Sequence, residues 1–151
     1  MKTLNPRPLF WACILLLGAV LHAGAQDAQW LSNYNKALAQ AKASNKNVLL
    51  DFTGSDWCPW CIRMEKEVLS TPQFKDYAGK NLVLMLVDFP QTKQLPQDVQ
   101  DQNNTLQTKY GVDGYPYFIL VDSGGNVLGR QEGYLDGGVS AFIAKLDSMK
   151  K

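Results

Sequence analysis

Three short apolar runs constrain this chain more than any other feature. Val48–Thr53, Leu82–Phe89 and Tyr117–Val121 are built largely from Val, Leu, Ile, Met and Phe. Each is too short for a buried helix and continuous enough for a strand covered on both faces. Such strands need helices to cover them, and the intervening segments have helical spacing. Trp30, Leu31, Tyr34, Ala37, Leu38 and Ala41 recur helically within residues 28–44, with Asp27 as the N-cap. A second helix starts at Pro59, where the missing N–H costs nothing. Its apolar face continues through Met64, Val68 and Leu69, and Arg63, Glu65, Lys66 and Glu67 read as its solvated face. Thr71-Pro72 opens a third helix that Gly79 closes, and Asp98–Tyr110 is a fourth, ending at Gly111. The turn Ser123-Gly124-Gly125-Asn126 leads into a strand, Val127–Gln131, and Gly137–Met149 is the last helix. Strands alternating with helices predict an α/β domain, a central mixed β-sheet flanked by helices on both faces.

Residues 1–25 read as a cleaved secretory signal rather than as structure. Lys2 and Arg7 precede an apolar run, Leu9–Leu21, that is short for a membrane span, and Ala23-Gly24-Ala25 follows it. Cleavage near Ala25-Gln26 would leave residues 26–151 as one domain, exported or periplasmic. It would remove Cys13 and His22, so the mature chain keeps Cys58 and Cys61 and has no histidine. Hydrolase chemistry that needs an imidazole base is thereby excluded. Two thiolates without histidine do not close a zinc site, so no metal is expected. Ile62 stands where c-type haem attachment needs histidine. Charge is nearly balanced, with 15 basic and 14 acidic residues in the full chain, and no basic block suggests nucleic acid. No heptad or surplus apolar stripe appears, so a monomer is expected.

The cysteines carry the chemistry. Trp57-Cys58-Pro59-Trp60-Cys61 lies where a strand hands over to a helix. Cys58 falls at the helix N-terminus, where unpaired N–H groups and the helix dipole favour a thiolate. Cys61 lies within the same first turn and can attack a mixed disulfide formed on Cys58. The pair itself is the redox centre, and no separate cofactor is expected. Asp51 sits inside an apolar run, where a carboxylate is costly without a partner or a proton. Trp60, between the cysteines, reads as either a substrate platform or a cap on the helix end.

The segment Leu49–Cys61 resembles the strand, active-site turn and helix of the thioredoxin superfamily. Gly111-Val112-Asp113-Gly114-Tyr115-Pro116-Tyr117-Phe118 resembles its second signature, and Asp122–Asn126 with Gly133-Tyr134 its final hairpin and the approach to its last helix. The resemblance spans roughly residues 30–148 and implies a thioredoxin-like fold. By it, Cys58 attacks, Cys61 resolves, and Asp51 assists the proton of Cys61, with Asp56 as the other candidate. By it too, Pro116 is cis, and Trp57, Pro59, Trp60, Tyr115 and Pro116 form the substrate surface. The lysine that the family carries on the adjacent strand is absent, since Leu82–Val87 is wholly apolar. The implied activity is protein thiol–disulfide exchange in the cell envelope. Partners would be protein thiols and disulfides, with electrons from a membrane reductant conductor of the DsbD type. Pro-Trp between the cysteines lacks the histidine of the oxidant DsbA, which favours a reductase or isomerase. The alternative is a non-catalytic binding module of the same fold.

Overall fold

The structure is a computed structural model that describes residues 29–150. The expected leader and Asp27 lie outside the described residues. In chain order the elements are β1 (Trp30–Leu31), α1 (Tyr34–Ser44), β2 (Asn47–Thr53) and α2 (Pro59–Met64). A π-helical turn (Glu65–Leu69) follows, then α3 (Pro72–Asn81), β3 (Leu82–Asp88) and α4 (Gln97–Tyr110). The chain ends with β4 (Tyr117–Val121), β5 (Val127–Glu132) and α5 (Gly138–Met149). The sheet order is β1-β3-β2-β4-β5. β1, β3 and β2 run parallel, and β4 and β5 are antiparallel to their neighbours, so the sheet is mixed as expected.

Strand parity builds the two faces. On β2, Val48, Leu50 and Phe52 point one way and join Ala37, Ala41, Leu106 and Tyr110 beneath α1 and α4. Leu49 points the other way and joins Met64, Val68, Phe74, Phe118, Phe142 and Leu146 beneath α2, α3 and α5. Asp51 has the parity of Leu49, so its side chain belongs to the α2 face. That follows from the period of the strand alone.

Two sequence expectations fail. Helix α1 starts at Tyr34, not near residue 28, because Asn33 is the N-cap and its Oδ1 accepts from Lys36 N–H at 2.9 Å. Trp30 and Leu31 instead form an edge strand in register with Leu84 and Met85. Their apolar side chains suit the sheet edge as well as they suit a helix face. Gly79 does not close α3, which continues to Asn81 and passes straight into β3. An interior glycine costs only about 1 kcal/mol, and the Gly79 carbonyl accepts from Lys46 Nζ.

Phe142 binds this face together. It is fully buried, with the rings of Phe118 and Phe74 at 4.8 Å and 5.9 Å. Phe142→Ala is expected to cost about 3–5 kcal/mol in urea unfolding. A loss below about 1 kcal/mol would show that α5 does not anchor the face.

Candidate active site

The chain leaves β2 at Thr53 and turns within five residues. Cys58 N–H donates to the Gly54 carbonyl at 2.9 Å, and Trp57 N–H donates to the same oxygen at 3.2 Å. Gly54 is required there, since a Cβ would lie 2.5 Å from the Trp57 indole. Cys58 then sits at the N-cap of α2 in extended conformation, with Pro59 at the first helical position. Its Sγ accepts from Cys61 N–H at 3.2 Å, so the sulfur takes the place of a capping oxygen. Cys58 and Cys61 form a disulfide with their Cα atoms 5.2 Å apart. Both are only 4% exposed in this oxidised form.

Asp51 and Pro116 reach the same place. A cavity of about 580 Å³ runs behind the disulfide, with Asp51, Cys61, Met64, Leu86 and Pro116 among its walls. Asp51 is 4% exposed, and its Oδ1 has no hydrogen-bond partner among the described residues. Burial, then the nearby Glu65 and Asp88 charges, hold its carboxyl well above the ordinary range. Leu86 stands beside it in β3, where a lysine would have balanced the charge. Asp56, the other candidate acid, is half-buried and does not line this cavity. Its carboxyl accepts from Thr92 and Gln91 and is lowered to about 2 by those bonds.

The peptide bond from Tyr115 to Pro116 is cis, as the resemblance implies. The Pro116 carbonyl accepts from Gly133 N–H at 2.9 Å, which ties the start of β4 to the end of β5. Aromatic side chains flank the disulfide on both sides. On one, the Trp57 ring meets Tyr115 edge-on at 6.0 Å, and Phe89 stacks on Tyr115 at 5.2 Å. On the other, Trp60 is 53% exposed and leans on Tyr134 at 5.7 Å. Trp60, Tyr115, Pro116, Gly133, Tyr134 and Asp136 line a groove of about 260 Å³. Trp60 is thus exposed and forms part of the wall of this groove.

All eight sequence candidates thus meet at one end of the sheet. Three features escaped the sequence. Glu65 is exposed, as its place on the solvated face implies, but it also lines the cavity with Asp51 and accepts from the Ser70 hydroxyl. The signal was its spacing, four residues after Cys61 and so on the same helix face. The π turn that follows, with Ser70 N–H donating to the Glu65 carbonyl at 2.8 Å, had no signal. Nor did the clasp in which Glu67 accepts from Arg63 Nε and Tyr134 Oη while Arg63 lies 4.6 Å from the Tyr134 ring centre.

Residues 34–150 match the thioredoxin-like domain family. The disulfide bond reductase DsbH of Chlamydia pneumoniae is 39% identical over 127 residues, which cover 84% of this chain and 75% of that protein. A solved DsbH oxidoreductase structure superposes with a TM-score of 0.76 at 38% identity, covering 82% of this chain and 85% of the other. The thiol:disulfide interchange protein DsbD of Vibrio cholerae is 40% identical over 70 residues, 46% of this chain but 11% of that longer protein.

The raised Asp51 carboxyl gives a pH signature with a definite sign. In the unfolded chain the group loses its proton near about pH 3.9, while the folded chain keeps it to higher pH. Folded protein binds more protons across that window, so this group lowers stability as pH rises through it. Asp51→Asn removes the loss. The variant is expected to gain on wild type in urea unfolding as pH rises above about 4. A difference that stays constant with pH would contradict the buried, protonated carboxyl.

Proposed function

The chain belongs to the thioredoxin-like domain family, and we propose that it is a thiol–disulfide oxidoreductase that reduces protein disulfides in the cell envelope. The observation that carries this reading is the Cys58–Cys61 disulfide seated in the first turn of α2, with Cys58 Sγ as the cap. A sulfur that already accepts a backbone N–H as a disulfide accepts it more strongly as a thiolate.

The cycle follows from that placement. The Cys58 thiolate attacks one sulfur of a substrate disulfide. A Cys58–substrate bond forms, the substrate S–S bond breaks, and one substrate thiolate leaves. Cys61 then gives up its proton, for which Asp51 across the shared cavity is the nearby acceptor once ionised, its raised proton affinity making it the stronger base. The Cys61 sulfur attacks Cys58, closing the Cys58–Cys61 disulfide and releasing the second substrate thiolate. The substrate has gained two electrons and this chain has lost them; the Cys61 proton rests on Asp51, and the departing substrate thiolates take up protons from solvent. Reduced protein is restored by a dithiol donor, for which a membrane conductor of the DsbD type is the proposed source. Trp60 and Pro59 present one side of the substrate surface. Trp57, Tyr115 and Pro116 present the other, with the Tyr115 backbone available to an extended chain. Residues 1–25 would direct export, with cleavage near Ala25-Gln26.

The reductase direction rests on the Pro-Trp pair between the cysteines, where no imidazolium is present to stabilise the reduced form. Equilibration with glutathione is expected to give a potential well below the about −120 mV of DsbA. A value close to about −120 mV would make the chain an oxidant instead.

The cysteine roles separate by substitution. Cys58→Ser is expected to abolish insulin reduction. Cys61→Ser is expected to stall after attack and accumulate a mixed disulfide, visible by mass and reversed by dithiothreitol. If Cys58→Ser reduced insulin at the wild-type rate, the cysteines would be bystanders and the fold a binding module.

A further inference from the structure

The loop that joins β3 to α4, residues 89–96, is fastened to the redox turn. Asp56 accepts from Gln91 N–H at 2.9 Å, from Thr92 N–H at 2.8 Å and from the Thr92 hydroxyl. Asp88, where the loop leaves β3, accepts from Ser55 N–H at 3.0 Å and from the Ser55 hydroxyl at 2.7 Å, and it pairs with Lys93 at 3.0 Å. Trp57 Nε1 donates to the Phe89 carbonyl at 2.7 Å. From α4, Asn103 Nδ2 donates to the Asp88 carbonyl at 2.9 Å. Every residue of the turn from Ser55 to Trp57 therefore holds one end of this loop. Prolines at 90 and 96 stiffen it further by fixing φ.

The loop is continuous with the disulfide site. Phe89 stacks on Tyr115, whose peptide bond leads into Pro116, and Pro116 borders both the cavity and the groove. Outside this aromatic seam the loop turns polar. Gln91, Thr92, Lys93 and Gln94 are exposed. Gln91 and Gln94, with Gln100 and Asn104 from α4, line a cleft of about 290 Å³. Carboxamides both donate and accept, so such a cleft matches peptide groups whatever the side chains of the guest. A disulfide without a flanking chain brings no peptide group to this ledge.

We propose that residues 89–96 form a second wall of the substrate site, which binds the main chain beside the exchanging cysteine of a protein substrate, and that Asp56 is the positioning residue that fixes this wall. The proposal rests on the oxidoreductase reading above and names its substrate class. Protein disulfides are favoured over small ones because only they bring peptide groups to the carboxamide ledge. Asp56 touches neither sulfur and acts through the loop backbone.

The test compares insulin with bis(hydroxyethyl) disulfide as substrates of full-length wild type, Asp56→Ala and Thr92→Val, and measures the reduction potential of each. Loss of one or two peptide contacts is expected to lower the insulin-to-small-disulfide ratio of kcat/KM about tenfold in Asp56→Ala, mainly through KM. Thr92→Val is expected to move the ratio in the same direction, and it removes a single hydroxyl should Asp56→Ala fold poorly. The potential is expected to stay at the wild-type value. The proposal is overturned if both substrates slow by the same factor, if the ratio does not move in either variant, or if the potential shifts with the ratio. Wild type inactive on both substrates would remove the oxidoreductase reading itself, which is a different result from an unchanged ratio.

Discussion

Everything at this site depends on one unusual cap. The first turn of a helix leaves N–H groups without partners, and serine, threonine, aspartate or asparagine normally fills the gap. Here the Cys58 sulfur does so, accepting from Cys61 N–H at 3.2 Å. The cap is held in place from behind, because Cys58 N–H is fixed on the Gly54 carbonyl and β2 ends at Thr53 in the middle of the sheet. A sulfur in that position has the positive end of a helix facing it and a rigid sheet beneath it. The proposed attack at Cys58 and resolution three residues later would both follow from that geometry.

The sheet also decides what surrounds the sulfurs. Parity on β2 sends Asp51 to the α2 face, and the β2–β4 pairing sets Phe118 opposite Asp51. Pro116, just before β4, is delivered to the same end of the sheet. Opposite requirements then meet at one end of the sheet. A thiolate would be favoured at the helix start, while burial and like charges make the carboxyl that shares a cavity with Cys61 hold its proton to higher pH.

The strands and their order of use were largely legible, because buried runs such as Leu82–Asp88 admit few alternatives. The cysteine pair was legible because its spacing coincides with a strand-to-helix junction. Boundaries were less so. Trp30 and Leu31 fit a helical face by spacing, and only pairing with β3 reveals them as strand. Glu65 is exposed as its helical spacing implies, but that spacing says nothing about the cavity it also borders. The Asp56–Thr92 and Trp57–Phe89 bonds were invisible, since residues more than thirty positions apart leave no local pattern. The cis bond before Pro116 was reached through family resemblance, not through the residues alone.

The account stands or falls on the charge state of one sulfur. Reduced protein alkylated with iodoacetamide across a pH series reports the titration of Cys58 directly. The cap geometry predicts a midpoint clearly below the about 8.5 of a free cysteine. A midpoint at or above about 8.5, or a Cys58 that does not react with the reagent, would contradict it.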